Sequence, residues 1–399
     1  MAMSVTEYGL VKNSDGSVCF TIRPDDTPFQ GVCSLALEKS TTNLANTDIS
    51  TWGKVYTSVN NTDLMFFGSP VWKVIASQTE SAQVHSIHDT SFTSDTDTTY
   101  TFSIYVKSAG ISIIELAGIG VNADGWYPIF DIVEGTYIGH GESTEDRWGI
   151  EPVGNDWFRV WITHTDSSGG HNIVVYLYDN EGNREWLGDD VSGIYIARPQ
   201  VEQKSFATSF VDSSRPKGWF YVPLESLGFD PATDDWVIAY WKKPIATIEG
   251  SIGDLAGYNI MSIGRYTSDY SVGYIWWGKK KDEDKFKVQA VQSDSSVVAS
   301  EATLDPLTYF NQWHFEVLLK VGNEIKYYYD GQLKVSLTIT DLQTFDQGLY
   351  VQGWAIGSDA CNSLYANVLY GKAKDSSGNL VWTDSYIQEV YNARAPFAK

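Results

Sequence analysis

The chain has 399 residues, of which 43% are hydrophobic and 20% charged, and it carries a net charge of −22. Those are globular proportions, and the length exceeds what one hydrophobic core fills, since single cores stop growing near ~250–300 residues. An acid excess of this size repels phosphate backbones and anionic lipid surfaces, which argues against nucleic acid and against anionic membrane surfaces as partners.

The N-terminal stretch MAMSVTEYGLVKNSDG has neither a basic leader nor an apolar run, so no signal peptide is expected and synthesis is expected in a cytoplasm. No run approaches 18 apolar residues, so no membrane insertion is expected. Residues 1–34 read as an N-terminal arm or anchoring segment. The three cysteines, Cys19, Cys33 and Cys361, have neither the even count of a disulfide framework nor a C-x-x-C metal spacing.

Strand patterns begin after residue 35. In Tyr100–Lys107 the residues Tyr100, Phe102, Ile104 and Val106 alternate with Thr101, Ser103, Tyr105 and Lys107. In Trp157–His164, Phe158, Val160 and Ile162 lie opposite Trp157, Arg159 and Trp161. Ile173–Tyr178 follows, broken by the turn sequence Asp179-Asn-Glu-Gly-Asn183. Ser213–Gly218 reads as a linker, and strands start again at Trp236–Trp241, which ends before Pro244. Phe315, Val317 and Leu319, then Ile325, Tyr327 and Tyr329, then Leu333, Val335, Leu337 and Ile339 form a three-stranded meander around the hairpin signal Asp330-Gly331. The expected fold is all-β, two antiparallel β-sandwich (jelly-roll) domains in tandem, over residues 35–215 and 218–399.

Two segments bracket the first domain. Asp25–Leu44 contains an Asp-Thr-Pro turn followed by Leu37, Glu38, Thr42, Asn43 and Leu44. Tyr195–Pro216 contains Gln200, Glu202, Ala207, Thr208, Ser209 and Phe210. Together they resemble the opening and closing of a jelly-roll module common in bacteriophage structural proteins, and residues 35–215 resemble a carbohydrate-binding-module jelly roll. Residues 218–399 resemble the laminin-G-like, concanavalin A-type jelly roll, on Trp236–Lys242, Trp313-His314-Phe315 and Tyr328-Tyr329-Asp330-Gly331, with Ser385–Asn392 standing where such domains often end in a short helix. The resemblance implies a non-enzymatic virion structural protein (head fibre, decoration, tail fibre or baseplate subunit) that partners other virion proteins, forms homotrimers and displays its domains to host-surface glycans. A dedicated carbohydrate-binding receptor-binding protein is the alternative, and a glycan-degrading enzyme ranks third.

The residues themselves carry little catalytic pattern. No G-x-S-x-G occurs. His85 and His88 are spaced three apart, which puts them on opposite faces of a strand. Asp131 and Glu134, the nearest approach to a glycosidase carboxylate pair, also fall on opposite faces. The chain is therefore read as no enzyme, with no cofactor beyond a structural Ca²⁺ for which Asp95, Asp97, Asp234 and Asp235 are the weak candidates. Aromatic residues make up 14% of the chain. Trp276 and Trp277 lie in its densest aromatic run and, with Tyr266 and Trp126 behind them, are the rings expected to stack on sugars.

Overall fold

The computed structural model describes residues 3–5, 10–13, 18–23, 34–38, 40–118, 127–139, 147–215, 220–245, 259–265, 267–279, 284–310, 312–351 and 363–394. It is almost entirely β, built from antiparallel sheets. Thr41–Arg215 form one compact unit, and the described residues of Met1–Val5, Leu10–Ser40 and Pro216–Lys399 form another.

The Thr41–Arg215 unit packs a six-stranded sheet against a second sheet. The first runs Arg147–Gly154, Trp157–Asp166, Thr98–Ala109, Gly193–Glu202, Ser69–Ala76, Thr57–Phe66; the second runs Thr136–Gly139, Ile129–Asp131, Ile113–Gly118, Ile173–Leu177, Gln83–His88, Glu185–Trp186. Phe102, Ile104, Val106, Val160, Ile162, Ile194 and Ile196 from the first meet Ile87, Ile114, Leu116, Ile173, Val175 and Leu177 from the second. Period-two alternation places these apolar residues on one face of each strand, and their burial against the facing sheet is the main force holding the sandwich together.

Thr98–Ala109 departs from simple alternation. Its other face, Thr101, Ser103 and Tyr105, is also buried, at 0–2% exposure. The segment after Gly193–Glu202 folds back over that face: Thr101 Oγ1 donates to the Lys204 carbonyl and Arg159 Nη2 to the Thr208 carbonyl. Arg198, with φ +53°, and Pro199 form a bulge opposite Ser103–Tyr105, which is how a proline is accommodated in a central strand.

The other unit is a second sandwich. A six-stranded sheet runs Phe220–Val222, Leu349–Val351, Asn259–Gly264, Tyr274–Lys279, Lys285–Val291, Val297–Thr303. It faces a nine-stranded sheet in the order Met3–Val5, Leu10–Asn13, Val18–Arg23, Ser34–Leu37, Ser363–Lys372, Trp236–Pro244, His314–Val321, Glu324–Tyr329, Gln332–Thr338. Trp236, Ile238, Tyr240 and Leu318 meet Met261, Ile275, Trp277 and Val288 in the core. On its other face, Trp241, Phe315, Val317 and Leu364 are covered by the C-terminal helix Asp384–Arg394 through Ile387 and Tyr391. The expected meander is present, and Asp330 and Gly331, with φ of +50° and +75°, make the tight turn that Asp-Gly favours.

Two boundaries differ from the sequence reading. The N-terminal segment supplies three strands to the nine-stranded sheet, and Ser34–Leu37, expected to open the first domain, pairs with Ser363–Lys372 in that same sheet. Ala36 and Leu37 are each 1% exposed, one on each face of the sheet, which ties the segment to this unit. The expected linker also starts late. Ser214–Arg215 pairs with Thr41–Thr42, and Arg215 is buried.

The acid excess finds a structural use in the loops. Asp179-Asn-Glu-Gly-Asn183 and Asp375-Ser-Ser-Gly-Asn379, one in each unit, close tight turns in the same way. Asp179 Oδ1 accepts from the Glu181 and Asn183 amides and its Oδ2 from the Asn183 side chain; Asp375 makes the matching bonds with Ser377 and Asn379. Such carboxylates replace backbone partners that a turn cannot supply.

Candidate functional site: a polar closure and an aromatic platform

The bracketing motifs meet in space. Asn43 donates from Nδ2 to the carbonyls of Pro199 and Val211, both at 3.0 Å, and its Oδ1 accepts from the amides of Val201 and Ala45, also at 3.0 Å. All four hydrogen-bonding positions of the amide are used. Glu202, 0% exposed, is equally saturated. Its Oε1 accepts from the hydroxyls of Thr41 and Thr208, and its Oε2 accepts from the Thr208 amide and Gln200 Nε2, both at 2.8 Å. Gln200 Oε1 then takes the Val211 amide at 2.7 Å. Phe210 closes the outer side beneath the Arg198 guanidinium, 5.1 Å from its ring. Thr41 and Asn43 at one end and Gln200, Glu202 and Thr208 at the other thus form a buried polar clasp that joins the two ends of the unit, whereas Thr42 and Leu44 of the opening motif are exposed.

The rings expected to bind sugar are placed differently from the expectation. Trp277 is 0% exposed in the core of its sandwich, where its Nε1 donates to the Tyr240 hydroxyl at 2.9 Å. Trp276 points to the opposite face, in a row across the sheet with Tyr221, Tyr350, Ser262 and Gln289. It is nevertheless only 7% exposed, with the Lys287 ammonium 5.9 Å from its ring. Alternation correctly separates the two faces, but neither ring is open to a ligand. Tyr266 and Trp126 lie outside the described residues.

An aromatic surface does occur on the outer face of the six-stranded sheet of the Thr41–Arg215 unit. Trp161 stands there between Gly149 on the edge strand and Ser103 on the central one. A Cβ at Gly149 would lie 2.6 Å from Cε2, Cζ2 and Nε1 of Trp161, so the indole rests across the glycine in the space a side chain would fill. The ring is partly exposed, and the exposed carboxylate of Glu151 stands two residues along the edge strand on the same face. Trp157, four residues before Trp161 on the same strand, stacks on Phe66 at 4.3 Å and 29°. The sequence marked Trp161 as facing away from the core. The missing signal was Gly149, whose lack of a side chain leaves the space in which the indole rests.

The calcium candidates are otherwise engaged. Asp234 pairs with Lys372 at 3.3 Å and accepts the Asp230 amide, while Asp235 pairs with Lys374 at 2.6 Å and accepts the Gly322 amide. Lysine ammonium groups supply the charge a calcium ion would bring. Asp95 accepts from the Tyr100 hydroxyl at 3.1 Å, and Asp97 is exposed in a left-handed turn at φ +52°. Among the described residues no three His, Cys, Asp or Glu side chains group as a metal site requires. Both ring nitrogens of His85 lie against backbone carbonyls, Nδ1 at 2.6 Å from that of Tyr56 and Nε2 at 3.0 Å from that of Trp186, so neither faces an open site where a metal could sit.

Asp131 Oδ1 accepts the amides of Val133 and Glu134, so it caps its own turn instead of facing a second acid across a cleft. Ser94, Asp166 and His171 come together, but the Ser94 hydroxyl donates to Asp166 Oδ2, the same oxygen that His171 Nδ1 approaches at 2.8 Å. A nucleophilic serine must give its proton to the imidazole, and here both groups serve the aspartate. Asp166 also accepts the Ser168 and Gly169 amides, anchoring the loop.

Burial raises the Asp166 pKa, but the Ser94, His171 and backbone hydrogen bonds outweigh it and hold the carboxyl well below the ordinary range. A depressed folded-state value means that this carboxylate contributes stability above the unfolded Asp value of about 4, and that the contribution is lost as the pH falls below it toward the folded value. Asp166→Asn is expected to lower stability at neutral pH, and the difference from the parent chain should shrink as the pH drops from about 4 to about 2. Denaturant unfolding across that range checks it. A pH-independent difference would assign the carboxylate no linkage.

No family model and no curated protein sequence matches the chain. Solved structures similar to parts of it include the botulinum neurotoxin type G receptor binding domain, with TM-score 0.29 and 13% identity over 40% of this chain. The chain spans 38% of that domain. The CBM40 of Ruminococcus gnavus IT-sialidase bound to α2,3-sialyllactose gives TM-score 0.29 and 12% identity over 44% of this chain and 97% of its own length. The carbohydrate binding module CBM66 from Bacillus subtilis gives 0.25 and 15% over 35% and 76%. At such scores the likeness carries none of those proteins' properties over to this chain.

Proposed function

We propose that this is a non-catalytic binding protein whose Thr41–Arg215 sandwich grips glycan on the outer face of its six-stranded sheet. The observation that carries the reading is Trp161, a partly exposed indole resting across Gly149 with the Glu151 carboxylate beside it. A flat ring offers its π face to sugar C–H groups, and a neighbouring carboxylate accepts hydroxyl hydrogens; this is the usual composition of a small-ligand surface, an apolar platform with few polar groups. Aromatic contacts of this kind are worth about 1 kcal/mol each. Single-site affinity is therefore weak, and display of several copies, such as a homo-oligomer, raises it.

A virion role draws on the bracketing motifs, the two sandwiches in series, and the lack of a catalytic motif and of a signal peptide in the sequence. The buried clasp accounts for Asn43, Gln200, Glu202 and Thr208 by folding, so these residues favour a virion no more than any other carrier of this sandwich.

The test is a glycan array probed with multimerised protein, followed by titration of the best ligand. Trp161→Ala is expected to weaken that ligand about fivefold, the equivalent of about 1 kcal/mol, with little change in the unfolding midpoint. Gly149→Val, which pushes the indole off the sheet, should act in the same direction. Undiminished binding by Trp161→Ala would remove this surface from consideration.

A further inference from the structure

A buried lysine and glutamate sit side by side in the core of the second sandwich. Lys242 lies on Trp236–Pro244 and Glu316 on its neighbour His314–Val321, and the register pairs Tyr240 with Glu316 and Lys242 with His314. Lys242 and Glu316 are therefore diagonal neighbours on one face, and both are 0% exposed. Lys242 Nζ is 3.8 Å from Glu316 Oε1. That oxygen has no hydrogen-bond partner, whereas Oε2 accepts the Tyr240 hydroxyl at 2.6 Å, and Tyr240 in turn accepts Trp277 Nε1 at 2.9 Å.

This is a poor arrangement for an ion pair. Two charges have left water, yet the pair lies beyond hydrogen-bonding distance and one carboxylate oxygen is unsatisfied, so the pair itself offsets little of the carboxylate's desolvation cost. It is a good arrangement for condensation. The two oxygens are already distinguished: Oε2 is held and polarised by Tyr240 as a carbonyl would be, and Oε1 faces the amine with no other bond to break.

We propose that Lys242 and Glu316 join as an intramolecular isopeptide bond. Nζ attacks Cδ, the Cδ–Oε1 bond breaks, and Oε1 leaves with two protons from the ammonium as one water. A neutral amide remains, with one N–H and with Oε2 as its carbonyl oxygen bonded to Tyr240. The step needs no oxidant, no cofactor and no second substrate, and it removes both buried charges. It would covalently tie two adjacent strands of the nine-stranded sheet.

The experiment is an intact-mass measurement on the denatured full chain, followed by proteolytic mapping. The chain is expected to be lighter than its sequence mass by one water, with no trypsin cleavage after Lys242 and a single branched peptide joining the segments that contain Lys242 and Glu316. Lys242→Met and Glu316→Met should each restore the full sequence mass. The wild-type map decides the matter even where these variants fold poorly. A chain at its full sequence mass overturns the proposal. So does a water loss mapped elsewhere, for instance to a succinimide at Asp330-Gly331.

Discussion

Glu202→Ala should destabilise the Thr41–Arg215 unit by about 3–5 kcal/mol, a large share of the 5–15 kcal/mol that holds a typical domain. The carboxylate takes four hydrogen bonds in a site with no exposure: the hydroxyls of Thr41 and Thr208, the Thr208 amide and Gln200 Nε2. Truncation leaves those donors in a cavity, and each unsatisfied buried donor costs roughly 1–3 kcal/mol before relaxation. Glu202→Gln keeps one acceptor oxygen but turns an NH₂ group toward donors, so it should fall between Ala and the parent. Denaturant unfolding followed by tryptophan fluorescence measures all three. An Ala variant within about 1 kcal/mol of the parent would mean that the clasp does not hold the sandwich closed, and would return the motif to a role at the surface.

Trp277→Ala should cost a similar amount, about 3–5 kcal/mol, in the other unit. Its indole is 0% exposed among Met261, Ile275, Tyr240 and Val288, and its removal opens a cavity in a close-packed core while depriving the Tyr240 hydroxyl of its donor. Trp277→Phe should cost less, because most of the volume remains and only the indole N–H is lost. Glycan affinity of the surviving folded protein should not change. A Trp277→Ala variant with native stability and reduced glycan binding would contradict both the buried placement and the choice of Trp161.

The sequence by itself determined the class of fold and the faces of its strands. Phe102, Ile104 and Val106 point inward as their spacing requires, Trp161 points outward, and Asp330-Gly331 turns the meander, because period-two alternation and left-handed φ are local properties of the chain. The C-terminal helix also falls where its resemblance placed it. What alternation does not record is what lies over the outer face. Trp276 was expected to be open and is nearly buried, and Thr101, Ser103 and Tyr105 look like a solvated face yet are covered by a return segment a hundred residues away. Only the tertiary structure decided these. It alone brings Asn43 to Val211, lays Ser34–Leu37 against Ser363–Lys372, and sets Lys242 beside Glu316, since contacts between distant strands depend on which edges meet and leave no periodic trace in the chain. Gly149 states the difference most simply. In sequence it is one glycine among 34, and in the sheet it is the space on which Trp161 lies.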